Sequence, residues 1–199
     1  FKRLPLFHAV LTRQGGVSAP PYDRLNTGGT VGDNPDAVLE NHRKIYDVLG
    51  YPFDSRFDVW QVHGTRILSA DAPRPVGTPH PKADGILTDQ PGITLFMRFA
   101  DCVPLLLYDP KQRVIGIAHA GWQGTSLKIA RHAVEAMTHR CGCQPQDILA
   151  TIGPSICEAC YQVGEEVYRA FQVAFGSDTE KLFQQKGEQL YLDLWQANR

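Results

Sequence analysis

A chain of 199 residues, 43% of them hydrophobic, carries enough apolar side chains to bury a core without disulfide or metal staples. The 20 Lys and Arg against 21 Asp and Glu leave a formal charge of −1, and no basic run follows a phosphate backbone, which argues against nucleic acid as a partner. No window approaches the roughly 20 consecutive apolar residues of a membrane-spanning helix, and five cysteines, an odd number, fit free thiols in a reducing, cytoplasmic setting.

In chain order, LFHAVLTR (residues 6–13) has strand-like composition, and Gly15, Gly16, Pro20, Pro21, Gly28, Gly29 and Gly32 keep the following stretch irregular. Asn34 and Pro35 open a helix whose apolar face carries Val38, Ile45 and Leu49 and which Gly50 closes. DVWQVHG reads as a strand with Val59, Gln61 and His63 on one face and Trp60 and Val62 on the other. After a Pro-rich connection, Asp84-Gly85 reads as a turn, and ITLFMRF, PLLLY and RVIGIAHA as strands, the last with Ile115, Ile117 and His119 on one face. Ser126 to His139 predicts one helix, with Leu127, Ala130, Val134 and Met137 along its apolar stripe. DILATIGP is a further strand, VGEEVYRAFQVAF a helix, and LFQQKG with QLYLDLW a closing strand entering a helix. With no repeat and no linker, the pattern predicts a single α/β domain (1–199) of the α+β type, its sheets mixed and largely antiparallel.

His63, Cys102 and His119 each fall where a predicted strand gives way to a turn: HG, DCVP and HAG. Two imidazoles and a thiolate are a borderline-soft donor set that suits zinc, and three protein ligands leave a fourth position open, as at catalytic sites. Their spacings of 39 and 17 residues match no zinc-finger pattern, so packing roles stand beside the metal reading. A rival reading makes Cys102 a nucleophile with His119 as its base, oriented by Asp101 or Gln61. The pairs Cys141/Cys143 and Cys157/Cys160 are read as reduced thiols rather than a second metal site, because C-x-C is tighter than knuckle spacing. Arg13 and Asn26, beside glycine-rich turns, could place a guanidinium and an amide around phosphate. His8, His42, His80, His132 and His139 are assigned to surface or capping roles. No His-x-His pair exists among the seven histidines, so a trinuclear copper cluster cannot be housed.

The succession TRQGGVS, YDRLNTG, VGDNPDAV, QVHGT, ADGILT, ADCVPLLLYD, AHAGWQGT and IGPSICEACYQVGEEV resembles the laccase-domain family of purine nucleoside phosphorylases, once called polyphenol oxidases. The resemblance runs from about residue 10 to 198. It implies a fold similar to the cytotoxic necrotising factor-like cysteine hydrolases, and a metal site of His63, Cys102 and His119 holding zinc, with copper as the alternative. It also implies phosphorolysis of adenosine, inosine, guanosine and methylthioadenosine to base and sugar 1-phosphate, together with deamination of adenosine. Asp101 is then the candidate acid/base, and Arg13 and Asn26 the candidate holders of phosphate. A Cys-His hydrolase and a non-enzymatic zinc-binding module are the competing functions. Two departures stand out: Gln123 replaces the arginine that usually follows HAGW, and the family's tail, with its Cys-Thr pair and Ser-Tyr-Arg-Arg motif, does not follow Arg199. A purine nucleoside and phosphate are the expected partners; oligomeric state is not legible.

Overall fold

Asn34 starts the first helix of the computed structural model, which describes residues 4–199, by accepting the amide of Asp36 on its side-chain oxygen at 2.8 Å. That helix, α1 (Pro35–Leu49), ends where Gly50 turns left-handed at φ 72, and it buries Val38, Ile45 and Tyr46. The remaining elements are β1 (Arg56–Asp58), β2 (Ile67–Ser69), β3 (Gly85–Thr88), β4 (Thr94–Phe96), β5 (Val103–Asp109), β6 (Val114–Ala120), α2 (Trp122–Ser126), α3 (Ile129–Cys141), β7 (Leu149–Ile152), β8 (Gln162–Val163), α4 (Glu165–Phe175), β9 (Phe183–Lys186), β10 (Gln189–Leu192) and α5 (Leu194–Ala197).

The central sheet has the order β2-β3-β6-β5-β7, parallel only between β2 and β3 and antiparallel elsewhere. A parallel pair, β1-β4, and an antiparallel trio, β8-β10-β9, complete the mixed α/β architecture expected from the sequence. Alternation along each central strand divides the core. Leu87, Leu105, Leu107 and Ala118 join Ile129, Met137, Phe171 and Leu192 under the helices. Ile86 instead joins Val59, Ala83 and Met97 in a second cluster, against which Ile117 packs.

Four local expectations are corrected. LFHAVLTR forms no strand; the first three residues, part of the same opening stretch, lie outside the described residues. DVWQVHG leaves the ladder after Asp58, and only an isolated bridge between Trp60 and Lys82 follows, because the amides of residues 62–64 turn toward the Asp84 carboxylate instead of a neighbouring strand. Asp84-Gly85 is not a turn: Gly85 opens β3, where a side chain would strike Ile67 of β2. The helix predicted from 126 to 139 is divided between α2 and α3, since Lys128 adopts a left-handed conformation (φ 63) that redirects the chain so that α3 lies along β6.

Two histidines assigned to surface or capping roles engage interior groups, His42 from a buried position and His80 from a half-buried one. His42 is buried with Nε2 donating to the Thr27 carbonyl at 3.1 Å. His80 reaches the buried Asp58 at 3.0 Å, joining Arg56, Arg74 and Arg98 around that carboxylate.

Candidate metal centre

The β5-β6 hairpin brings two of the candidate donors together. Val103 pairs with Ala120 and Pro104 with His119, so Cys102, immediately before β5, lies beside the end of β6. At the hairpin turn, Asp109 holds the chain by accepting the amides of Lys111 and Gln112 at 2.8 and 3.1 Å. His63 comes from the loop after β1 and sits in the left-handed region at φ 60. That conformation is sterically costly for a residue with a Cβ, and it persists because the surroundings hold it.

Asp84 does the holding. Its fully buried carboxylate accepts the amides of Val62, His63 and Gly64 at 3.1, 2.8 and 2.8 Å and also contacts Nδ1 of His119 at 3.0 Å. One side chain therefore fixes the loop bearing one histidine and the ring of the other, and an Nδ1–H donated to Asp84 directs Nε2 of His119 away, as in carboxylate–histidine–metal arrangements. Burial alone would raise the Asp84 pKa, but the His119 ring and the three amides hold it below the usual carboxylate range. For His119, burial acts to lower the pKa; hydrogen bonds and charge from Asp84 and Cys102 outweigh it and push the ring up to about 9.

The ligand atoms of His63, Cys102 and His119 all lie within 4.8 Å of one another, the one such group among the described residues. The imidazoles meet edge-on with centroids 4.9 Å apart, and Phe99 covers His119 at 5.6 Å. A Cβ on Gly121 would stand 3.0 Å from the Cys102 sulfur and 3.2 Å from the His63 ring, so only glycine lets the backbone approach this closely. His63 is exposed, Cys102 half-buried and His119 buried, which leaves one side of the cluster open to a cleft.

Arg13 and Asn26 lie on the wall of that same cleft, together with Trp60, Met97, Arg98 and Phe99. Arg13 is exposed, and its backbone carbonyl accepts the amides of Arg24 and Leu25. Asn26 already spends its amide hydrogens on Asp33 (2.8 Å) and the Gly28 carbonyl (3.2 Å), while its oxygen takes the Gly28 amide. Asp101 is exposed with φ 73, next to Cys102 but not among the residues lining the cleft. Gln123 is exposed in α2. Gln61 does not orient an imidazole: it clips both the amide and the carbonyl of Arg98 (3.0 and 2.7 Å). Sequence reasoning missed Asp84 because Asp-Gly is a strong turn signal; an acidic residue preceding a strand of wholly buried residues was the available clue. All five cysteines are free, and Cys141, Cys143, Cys157 and Cys160 form no second donor group.

Residues 7–199 match the family model described as multi-copper polyphenol oxidoreductase laccase. The chain belongs to this family. Its similarity extends to the purine nucleoside phosphorylase of Deinococcus radiodurans, 41% identical over 96% of this chain and 72% of the relative. It is also 38% identical to the purine nucleoside phosphorylase YlmD of Bacillus subtilis, over 94% of this chain and 70% of that one. Among solved structures, the laccase-family fold is shared with a Bacillus licheniformis hypothetical protein YfiH (TM-score 0.88, 37% identity, 94% of this chain and 72% of that one). YlmD of Geobacillus stearothermophilus is similar at TM-score 0.87 and 34% identity, with the same coverage.

Proposed function

We propose that this laccase-family chain is a zinc-dependent purine nucleoside phosphorylase that cleaves adenosine, inosine, guanosine and methylthioadenosine with phosphate and also deaminates adenosine. The observation that carries the reading is the convergence of His63, Cys102 and His119 at an open cleft, in a chain whose relatives bear the name purine nucleoside phosphorylase. The donor set fits a metal. Tetrahedral zinc with bonds of about 2.0–2.3 Å spaces its ligand atoms roughly 3.3–3.7 Å apart; the three donor atoms lie within 4.8 Å of one another, and His119 is pre-oriented by Asp84. Copper is the alternative metal.

When bound, zinc supplies a Lewis acid and lowers the pKa of a water it holds toward about 7. The protein groups do the rest. In phosphorolysis the C1′–N9 bond breaks through a cationic sugar, a phosphate oxygen bonds to C1′, and the departing base takes a proton. Arg13 draws phosphate to the cleft by charge, while the Arg98 guanidinium on the same wall is turned to the Val59 carbonyl and to Asp58. Asn26, with its amide committed, serves by fixing the Gly28 loop. Asp101, exposed beside Cys102, is the proposed proton carrier, and Phe99 and Trp60 offer ring faces to the purine. The five free thiols agree with action in the cytoplasm.

The test is zinc-loaded protein incubated with adenosine and phosphate, with chromatography of the products. Adenine and ribose 1-phosphate are expected, with inosine and ammonia when phosphate is withheld. Cys102→Ser should lose metal and turnover together. Turnover lost with full metal content would make Cys102 a nucleophile, a reading favoured by the nearness of its thiol to the His119 ring that Asp84 holds. No product from metal-loaded protein would leave a zinc-binding module.

A further inference from the structure

Away from the metal centre, the segment joining β7 to β8 carries Cys157-Glu158-Ala159-Cys160 as a tight turn closed by the Cys160 amide on the Cys157 carbonyl at 3.0 Å. A turn with this i to i+3 bond holds its end Cα atoms within about 7 Å, which overlaps the roughly 4.4–6.8 Å span that a disulfide requires. Both cysteines are free, Cys157 half-buried and Cys160 exposed. The other close pair is different: Cys143 is fully buried, and burial first and the Asp109 carboxylate second push its thiol up to about 12.

We propose that Cys157 and Cys160 are a thiol–disulfide exchange site for low-molecular-weight disulfides, and that its closure is felt by the loop that carries Cys102. Cys157 is the attacking sulfur. The Cys160 thiol, and after it the amides of Cys160 and Ala159, stabilise its thiolate and hold its pKa below the usual thiol range. The thiolate attacks one sulfur of an external disulfide R–S–S–R, forming a mixed disulfide and expelling R–S⁻, which takes up a proton. Cys160 then loses its proton and attacks the Cys157 sulfur, releasing the second R–S⁻. Two electrons and two protons leave the protein dithiol and appear as two molecules of R–SH.

The route to the neighbouring loop is short. Ile156, one residue before Cys157, donates its amide to the carbonyl of Asp101 at 3.0 Å, and Gly153 donates to the carbonyl of Pro104 at 2.8 Å. The exchange chemistry does not depend on the purine reading, because neither cysteine belongs to the metal cluster.

The experiment exposes the full chain to oxidised glutathione, counts thiols after denaturation and maps the linkage by peptide mass spectrometry. Two of the five thiols should disappear into a Cys157–Cys160 link and return with dithiothreitol. Cys160→Ser should accumulate an unresolved glutathione adduct on Cys157, and Cys157→Ser should react at least about tenfold more slowly. Five persistent thiols, or a link through Cys141 or Cys143, would overturn the site. Hydrogen exchange of the peptide containing Ile156 should change several-fold on oxidation; an unchanged rate would overturn the coupling. Absence of purine turnover would leave both readouts intact, so the two proposals fail separately.

Discussion

Asp84 concentrates more of the site than any proposed ligand does. Its carboxylate serves three backbone amides and one imidazole, so its value lies in geometry rather than in contact with a substrate. Asp84→Asn keeps the size but replaces one acceptor oxygen by a donor, which opposes the amides of residues 62–64. Competition with a chromophoric chelator should show zinc affinity falling about 10- to 100-fold, the range typical of lost support for a ligating histidine. Unchanged affinity would mean that the histidines are held by packing alone. Strand-end placement made His63, Cys102 and His119 candidates and the family resemblance supplied the metal reading, but Asp84 was hidden because a dipeptide that usually makes a turn here carries a buried acceptor. A local rule cannot report which remote amides will need satisfying.

Among the elements, the hairpin and α1 were recoverable from sequence because their causes are local. Asn34, Pro35 and Gly50 mark the ends of α1, and the apolar runs of β5 and β6 are separated by a turn closed through Asp109. The misread elements depend on distant partners. Residues 59–63 alternate like a strand, yet they leave the ladder because the amides of residues 62–64 are claimed by Asp84, and the apolar period across 126–139 conceals the break at Lys128. Gly121 is the element-level counterpart of Asp84, joining β6 to α2 where an added Cβ would crowd both Cys102 and His63. Its ordinary φ of −74 accepts alanine without backbone strain, so Gly121→Ala tests only the space beside Cys102 and His63. Zinc affinity should drop at least about tenfold while the urea midpoint shifts little, since a forced contact moves the donors rather than the core. A variant that binds zinc normally would show that the cluster tolerates the added methyl.

For the molecule as a whole, pH acts through buried groups outside the His63–Cys102–His119 cluster. Burial first and the charge of Arg56 second lower the His42 pKa to about 4, and its Nδ1 has no hydrogen-bond partner. An unfolded histidine titrates near 6.5. Between these values the unfolded chain binds the extra proton, so stability is full above about pH 6.5 and is lost as pH falls toward 4. The slope approaches ~1.4 kcal/mol per pH unit. Urea titrations across this window should show that slope, and His42→Gln, which has no titrating ring, should flatten it; equal slopes would place the acid sensitivity elsewhere. Asp58, held well below the carboxylate range by His80 and Arg74 against its burial, acts in a separate window: its stabilisation is present above about pH 3.9 and fades in stronger acid. The β5-β6 ribbon has a different whole-chain consequence. A slip of one position in its pairing would turn His119 to the opposite side of the sheet. Correct alignment of that ribbon and presentation of a nitrogen–sulfur pincer are thus one event, leaving only the 62–64 segment to travel far along the polypeptide to complete the grip.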